Sequence, residues 1–217
     1  PSLMRGYSRI GDSVLRRNCS NISAVLASIQ ENSPDDWQKF CDIIESLPEN
    51  EIQGISFVKT TINDVILIQK EQNGKSTENI DATRLSDGTL RCIAVLAAVI
   101  SEPEHSLIAI EELDNGIHPS RIIKLIKSLC EIAQRRKIDL VLTTHNVTVL
   151  NGLSKEDVLG VSVVYRDKET QASRIVPFVE IENQAGILAS GGIGTAMESE
   201  RLLDEIKNEK EIVPFDF

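Results

Sequence analysis

The stretch Ser106–Pro119, SLIAIEELDNGIHP, decides how this chain is read. Leu107, Ile108, Ala109 and Ile110 form a short apolar run that leads directly into two carboxylates, Glu111 and Glu112. A run of that length and character predicts a buried strand of a parallel sheet. Two adjacent acids at its carboxyl end lie where open α/β sheets bind ligands. A strand that merely ends in an acidic turn fits the same residues, so the neighbouring chain has to decide.

Upstream, Leu85-Ser86-Asp87-Gly88-Thr89 opens a helix expected to run to about Ser101. Leu90, Ile93, Ala94, Leu96, Ala97 and Ile100 recur at helical spacing, and Glu102-Pro103-Glu104 ends the pattern. A helix N-terminus with free N–H groups is a natural phosphate site. Ser86 adds a hydroxyl there, and Gly88 allows close backbone approach. Downstream, Pro119 opens a second helix with a broad apolar face of Ile122, Ile123, Leu125, Ile126, Leu129 and Ile132. Ile138–Thr143 reads as a second short buried strand, ending at Thr144-His145-Asn146. The strand–helix–strand order implies parallel pairing through a right-handed crossover. Taken singly, LSDGT also fits an ordinary helix cap, and a histidine after a strand fits a structural role. Together, in this order and at these element ends, the three are specific.

A chain of 217 residues can form one sizeable domain, or one large lobe of a bigger one. Aromatics make up only 4%, so aliphatic side chains must fill the core. The formal charge is -10, which argues against broad electrostatic coating of nucleic acid. Arg135, Arg136 and Lys137 form a small basic triplet, read as a solvated helix end near the negative dipole terminus. Cys19, Cys41, Cys92 and Cys130 are widely separated, and Cys92 and Cys130 fall in apolar helical patterns. That favours buried free thiols in a reducing cytosol over disulfides or zinc. No signal peptide and no membrane-spanning run is present, which points to a cytoplasmic protein. Pro1 is not a start methionine, as expected of a chain that begins inside a longer gene product or has been processed.

The flanks are less specific. Pro1–Ser20, with Arg5, Arg9, Arg16 and Arg17, matches no pattern. Asn21–Gln30 has helical spacing at Ile22, Val25, Leu26 and Ile29. Ser33-Pro34-Asp35-Asp36 has the chemistry of a helix start, and that helix would bury Trp37, Phe40, Ile43, Ile44 and Leu47 before Pro48. Ile52–Lys59 and Asp64–Lys70 read as strands joined at Thr61–Asn63, and Gln72-Asn73-Gly74-Lys75 as a second turn. Thr77–Arg84 is polar and reads as a loop. Asn146–Leu153 opens a short helix, and Val158–Tyr165 and Ser173–Val179 form a terminal antiparallel pair across the turn Asp167–Gln171. Residues 195–209 are patterned as one amphipathic helix.

LSDGT, the Glu111-Glu112 strand end and the histidine-tipped strand together resemble the carboxyl-terminal half of an ABC-type ATPase. The resemblance is to the branch of RecF-like, chromosome-maintenance and OLD-family ATPases and the ATPases of bacterial defence systems, and it covers roughly residues 85–150. It implies an α/β, P-loop NTPase-like lobe with central parallel strands, flanking helices and a terminal antiparallel strand pair. On this resemblance LSDGT is the signature motif, and Glu111 and Glu112 are the Walker B acid and the catalytic glutamate. Leu113–Pro119 is the D-loop region, and His145 is the switch histidine. The resemblance implies Mg²⁺ at Glu111 and nucleotide contacts at Ser86, Asp87, Gly88, Asp114 and Asn115. Glu112 would polarise the attacking water, and His145 would hydrogen-bond the γ-phosphate of ATP. His118 and Pro119 would orient the next helix. Two residues depart from the pattern. Glu111 replaces the commoner Asp, and the extra methylene moves its carboxylate by roughly 1 Å at a Mg²⁺ site. Asp87 replaces the usual Gly and puts a negative charge near a triphosphate.

A P-loop needs GxxxxGK[ST] between a strand and a helix. Gly74-Lys75-Ser76 sits in a hairpin turn with Gln69 where the first Gly belongs, and Gly191-Gly192-Ile193-Gly194-Thr195 lacks the Lys. Neither is assigned to phosphate. Residues 1–84 are therefore expected to be a helical and β-hairpin segment leading into the head, and 85–217 the carboxyl-terminal lobe, with the Walker A lobe outside this chain. The implied function is an ATPase head that sandwiches ATP between two subunits in anti-phage defence or DNA repair. Its partners would be a second head, and a nuclease or other effector or DNA. A different reading is a low-turnover regulatory or assembly module that controls a nuclease or toxin partner.

Overall fold

Ile22–Ala27 carries no charged residue, and all of its side chains are buried. This stretch seeds the first of two units, Pro1–Thr143 and Thr144–Phe217. The structure is a computed structural model that describes residues 1–48, 52–167 and 170–208. The first unit contains β1 (Ser8–Arg9), α1 (Ile22–Asn32), α2 (Pro34–Ser46), β2 (Ile52–Lys59), β3 (Asp64–Asn73), β4 (Ser76–Asp81), α3 (Asp87–Ser101), β5 (Leu107–Ile110), α4 (Pro119–Arg136) and β6 (Asp139–Leu142).

β3 is the spine of a four-stranded antiparallel sheet. β2 lines one edge, with Ile55 opposite Gln69 and Phe57 opposite Leu67, and β1 and β4 line the other. The buried Ser23 hydroxyl accepts the Leu67 N–H at 3.0 Å and ties α1 to this sheet. β4 corrects the expected loop at Thr77–Arg84. The turn at Gly74-Lys75 sends the chain back along β3, and backbone pairing from Asn73↔Ser76 to Ile68↔Asp81 makes a strand. Its side chains are polar because most of them face solvent, which hides it from a hydrophobic pattern.

α3 is apolar on almost every side, and a helix of that kind has to be surrounded. It packs against α1, α2, α4 and β5. α2 starts at Pro34 as expected, but Ser33 makes no side-chain cap. Phe40, Ile44 and Leu47 are buried, while Trp37 and Ile43 are half-buried. Trp37 stacks on Phe40 with ring centroids 5.4 Å apart, at the rim of the core rather than in it. Cys92 is buried as expected, whereas Cys130 is exposed on the polar face of α4. Of the basic triplet, Arg135 and Lys137 are exposed at the helix end, as expected. Arg136 turns inward to donate to the Glu102 carbonyl at 2.7 Å and pair with Asp36, and Lys137 ends α4 in a left-handed conformation.

β5 and β6 pair in parallel, Leu107↔Asp139 to Ile110↔Leu142, as expected of strands joined by α4. They are not buried on both faces. Ile108 turns inward, but Leu107 is 69% and Val141 51% exposed. α3 packs on β5 and α4 on β6, and Leu107, Ala109 and Val141 are exposed on the strand pair.

The second unit contains α5 (Val147–Asn151), α6 (Lys155–Val158), β7 (Ser162–Arg166), β8 (Ser173–Pro177), α7 (Gln184–Ala189), α8 (Ile193–Glu198) and α9 (Arg201–Asn208). β7 and β8 form the expected antiparallel pair. Residues 168 and 169 of its turn lie outside the described residues. The first strand starts later than its apolar residues suggest, because Ser154 and Asp157 form a capping box and turn 155–158 into a helix. Residues 195–208 form two helices instead of one, with Glu200 left-handed at the break, and residue 209 lies outside the described residues. α7 has no counterpart in the sequence reading. Val176, Phe178, Ile181, Ile187, Ile193, Ala196, Leu202 and Ile206 make this unit's core. No helix among the described residues is long and apolar enough to cross a membrane.

Candidate functional site

The two motifs of the first unit meet at one backbone contact. α3 begins at Asp87, and its cap residue Ser86 is held in place by its own hydroxyl. Ser86 Oγ accepts the Thr89 N–H at 3.1 Å and donates to Thr89 Oγ1 at 2.9 Å. The Leu90 N–H bonds to the Ser86 carbonyl. The remaining first-turn N–H groups, of Asp87 and Gly88, have no carbonyl within the helix to bond to. A Cβ on Gly88 would stand 2.4 Å from the Gly116 carbonyl oxygen. The missing side chain of Gly88 therefore lets the start of α3 lie on the turn that follows the acidic strand.

That turn is tightly specified. The Glu112 N–H donates to Thr143 Oγ1 at 3.0 Å, and the Leu113 N–H to the Thr143 carbonyl at 3.1 Å. Arg91, one helical turn beyond Gly88 on α3, donates to the carbonyls of Glu111 at 3.2 Å and Glu112 at 2.9 Å. Asn115 Nδ2 donates to the Glu112 carboxylate at 3.3 Å, and its backbone N–H bonds to the Glu112 carbonyl. Glu112 needs these restraints because its φ is +46°, a left-handed conformation that an L-residue with a long side chain adopts at a cost of about 1–2 kcal/mol. Strain of this kind persists only where the surroundings over-determine it, and it clusters at functional sites.

Of the site residues named from the sequence, Ser86, Asp87, Gly88, Glu111, Glu112, Asp114 and Asn115 all belong to this unit. Glu111 and Glu112 are exposed at the end of β5, and Asp114 is buried inside the turn. His118 caps α4, accepting the Ser120 N–H and sharing a 2.8 Å hydrogen bond with the Ser120 hydroxyl, as its orienting role requires. His145 belongs to the second unit, exposed just before Asn146, whose side chain caps α5. Among the described residues no three His, Cys, Asp or Glu side chains gather to hold a metal by themselves. A nucleotide's Mg²⁺ takes one or two carboxylates with phosphates completing its shell, and the exposed Glu111 carboxylate suits that need.

The glycine run Gly191–Thr195 serves a different purpose. Asn151 Nδ2 donates to Thr195 Oγ1 at 2.9 Å and Asn151 Oδ1 accepts the Thr195 N–H at 3.2 Å. A Cβ on Gly194 would stand 2.3 Å from the Val147 carbonyl oxygen. The run brings α8 against α5.

Arg91 and Thr143 also hold the site, and neither was named from the sequence. Arg91 could have been found from its place three residues after Gly88, on the same helix face.

A family profile described as "AAA domain, putative AbiEii toxin, Type IV TA system" matches residues 28–151, more than half of the chain. The chain belongs to this family. It is thus an AAA-type ATPase lobe of α/β, P-loop NTPase-like fold, and ATP binding and hydrolysis are the chemistry of that class. No curated protein matches it. Among solved structures, an SMC ATPase described under "Structural biochemistry of ATP-driven dimerization and DNA stimulated activation of SMC ATPases" aligns with a TM-score of 0.49 at 9% identity, over 86% of this chain and 99% of the other. An Smc head domain with a coiled coil and joint from Pyrococcus yayanosii aligns with 0.49 at 11% identity, over 76% of this chain and 30% of the other. An Smc head domain with an extended coiled coil from Pyrococcus furiosus, bound to the C-terminal domain of ScpA, aligns with 0.45 at 11% identity, over 84% and 40%. The chain thus spans less than half the length of these last two.

Proposed function

We propose that this AAA-family chain is the carboxyl-terminal lobe of an ATP-hydrolysing head of the RecF-like and OLD-like branch. Two heads would sandwich ATP, in anti-phage defence or DNA repair. The observation that carries this reading is Glu112, an exposed carboxylate held in a strained conformation by Arg91, Thr143 and Asn115 at the end of a parallel strand. Glu112 orients and deprotonates the attacking water. Glu111 supplies an oxygen ligand for Mg²⁺, which when bound neutralises charge on the phosphates. His145 hydrogen-bonds the γ-phosphate. The first turn of α3 offers the Asp87 and Gly88 N–H groups to the ATP of the opposite head, and Asp114 and Asn115 shape the turn at that interface. The family description, which joins the AAA domain to a toxin–antitoxin system, favours a second reading in which slow turnover switches a toxin or nuclease partner.

Glu112→Gln in the complete protein tests the first reading. It keeps the hydrogen-bonding shape and loses the base, so ATP still binds while hydrolysis falls by about a hundredfold or more. Unchanged phosphate release would remove Glu112 from this role. Ser86→Arg should block ATP-dependent association of heads and leave ATP binding by one head intact.

A further inference from the structure

Arg5 reaches the loop between β4 and α3 from the other end of the first unit. Its Nη1 donates to the carbonyls of Ala82 at 3.4 Å, Thr83 at 3.1 Å and Leu85, and its Nη2 pairs with the Asp87 carboxylate. The neighbouring Met4 is buried and anchors the turn that carries Arg5. The loop is itself ordered by Asp81, which accepts hydrogen bonds from the Thr83 N–H and hydroxyl. Three carbonyl dipoles and one carboxylate therefore face a single cation, beside the first turn of α3. Without that cation the same groups would present negative charge where a phosphate has to arrive. The Asp87 side chain is 68% exposed, and an ion pair that open adds little to folding stability. The effect of the pair is on the local field.

We infer that Arg5 is a positioning residue for the LSDGT surface: it cancels the charge of Asp87 and fixes the 82–85 loop so that the Asp87 and Gly88 N–H groups can take a terminal phosphate. This rests on the reading of LSDGT as a phosphate-engaging surface. The test uses the complete protein with Arg5→Ala, Arg5→Lys, Asp87→Asn, the double variant Arg5→Ala/Asp87→Asn, and Ser86→Arg. The readouts are the ATP concentration for half-maximal head association, its salt dependence and the melting temperature. Arg5→Ala raises the ATP requirement by about tenfold or more, the size of one lost charge-assisted contact. The double variant recovers part of that loss and needs clearly less ATP than Arg5→Ala, because no carboxylate is left to cancel although the loop carbonyls stay without Arg5. Arg5→Lys falls between them. A double variant as impaired as Arg5→Ala, with both melting lower, would make Arg5 a folding residue and overturn the inference. If Ser86→Arg blocks association while Arg5→Ala keeps the parent ATP requirement, the inference alone fails. If Ser86→Arg changes nothing, the LSDGT reading fails and takes this inference with it.

Discussion

The Arg91 guanidinium donates to the Glu112 carbonyl oxygen at 2.9 Å, so a residue of the LSDGT helix holds the backbone of the proposed base. Glu112 sits at φ +46°, and its carbonyl would otherwise swing as the turn relaxed toward an ordinary conformation. Arg91→Ala should therefore leave the carboxylate in place chemically but displaced. A misplacement of about 1 Å at a reacting group costs roughly a hundredfold in rate. The expected outcome is a loss of that order in kcat with ATP affinity nearly unchanged, and a partial recovery in Arg91→Lys. Phosphate release measured beside equilibrium nucleotide binding decides it. Lost binding at unchanged kcat would place Arg91 in the nucleotide pocket instead.

Glu112→Gly separates strain from chemistry at the same position. Glycine relieves the left-handed penalty of about 1–2 kcal/mol but gives back about 0.5–1 kcal/mol in unfolded-state entropy. The protein should be as stable as the parent or about 1 kcal/mol more so, and should not hydrolyse ATP. Denaturant unfolding reads the first half and a turnover assay the second. A clear loss of stability would mean that the Glu112 side chain, through Asn115, holds the turn more than the turn holds it.

The stretch Ser106–Pro119 and the start of α3 were legible because their chemistry is local. A short apolar run, a paired acid, a serine cap and a proline at a first helical position each act within a few residues. The half-exposed faces of β5 and β6 were not legible, since burial depends on what covers a strand and not on its composition. β4 was missed for the same reason: its partner β3 supplies the hydrogen bonds, and its own side chains carry no signal. Arg5 lies more than seventy-five residues from every group it binds, so no local pattern could name it. Gly88 was read as allowing close backbone approach, and the Gly116 backbone lies against it.

Gly88→Ala tests that packing. The added Cβ would sit 2.4 Å from the Gly116 oxygen, and both partners are backbone, so neither can swing aside. Either the start of α3 or the turn after Glu112 has to move. Overpacking of this kind costs about 1–3 kcal/mol, and the same shift should lower turnover, because Arg91 and the turn no longer meet in register. Unfolding and turnover measured on one preparation check both effects. A variant with parent stability would show that the two segments are free to separate.

Burial pushes the thiols of Cys41 and Cys92 from the usual 9.0 up to about 11, with Glu45 and Asp42 adding to the effect at Cys41. A buried thiol that resists ionisation reacts slowly, while Cys130 is exposed on α4. At pH 8 a thiol reagent should modify Cys130 first and reach Cys92 only as the protein unfolds. The same shifts give stability a sign with pH. Below pH 9.0 both thiols are protonated in the folded and unfolded chain, and their contribution is fully present. Between 9.0 and about 11 the unfolded chain releases these protons and the folded one keeps them, so stability falls as pH rises through that window. The melting temperature should decline more steeply over this range in the parent than in Cys92→Ala. Parallel declines would show that the Cys92 thiol ionises in the folded protein as readily as in the unfolded chain.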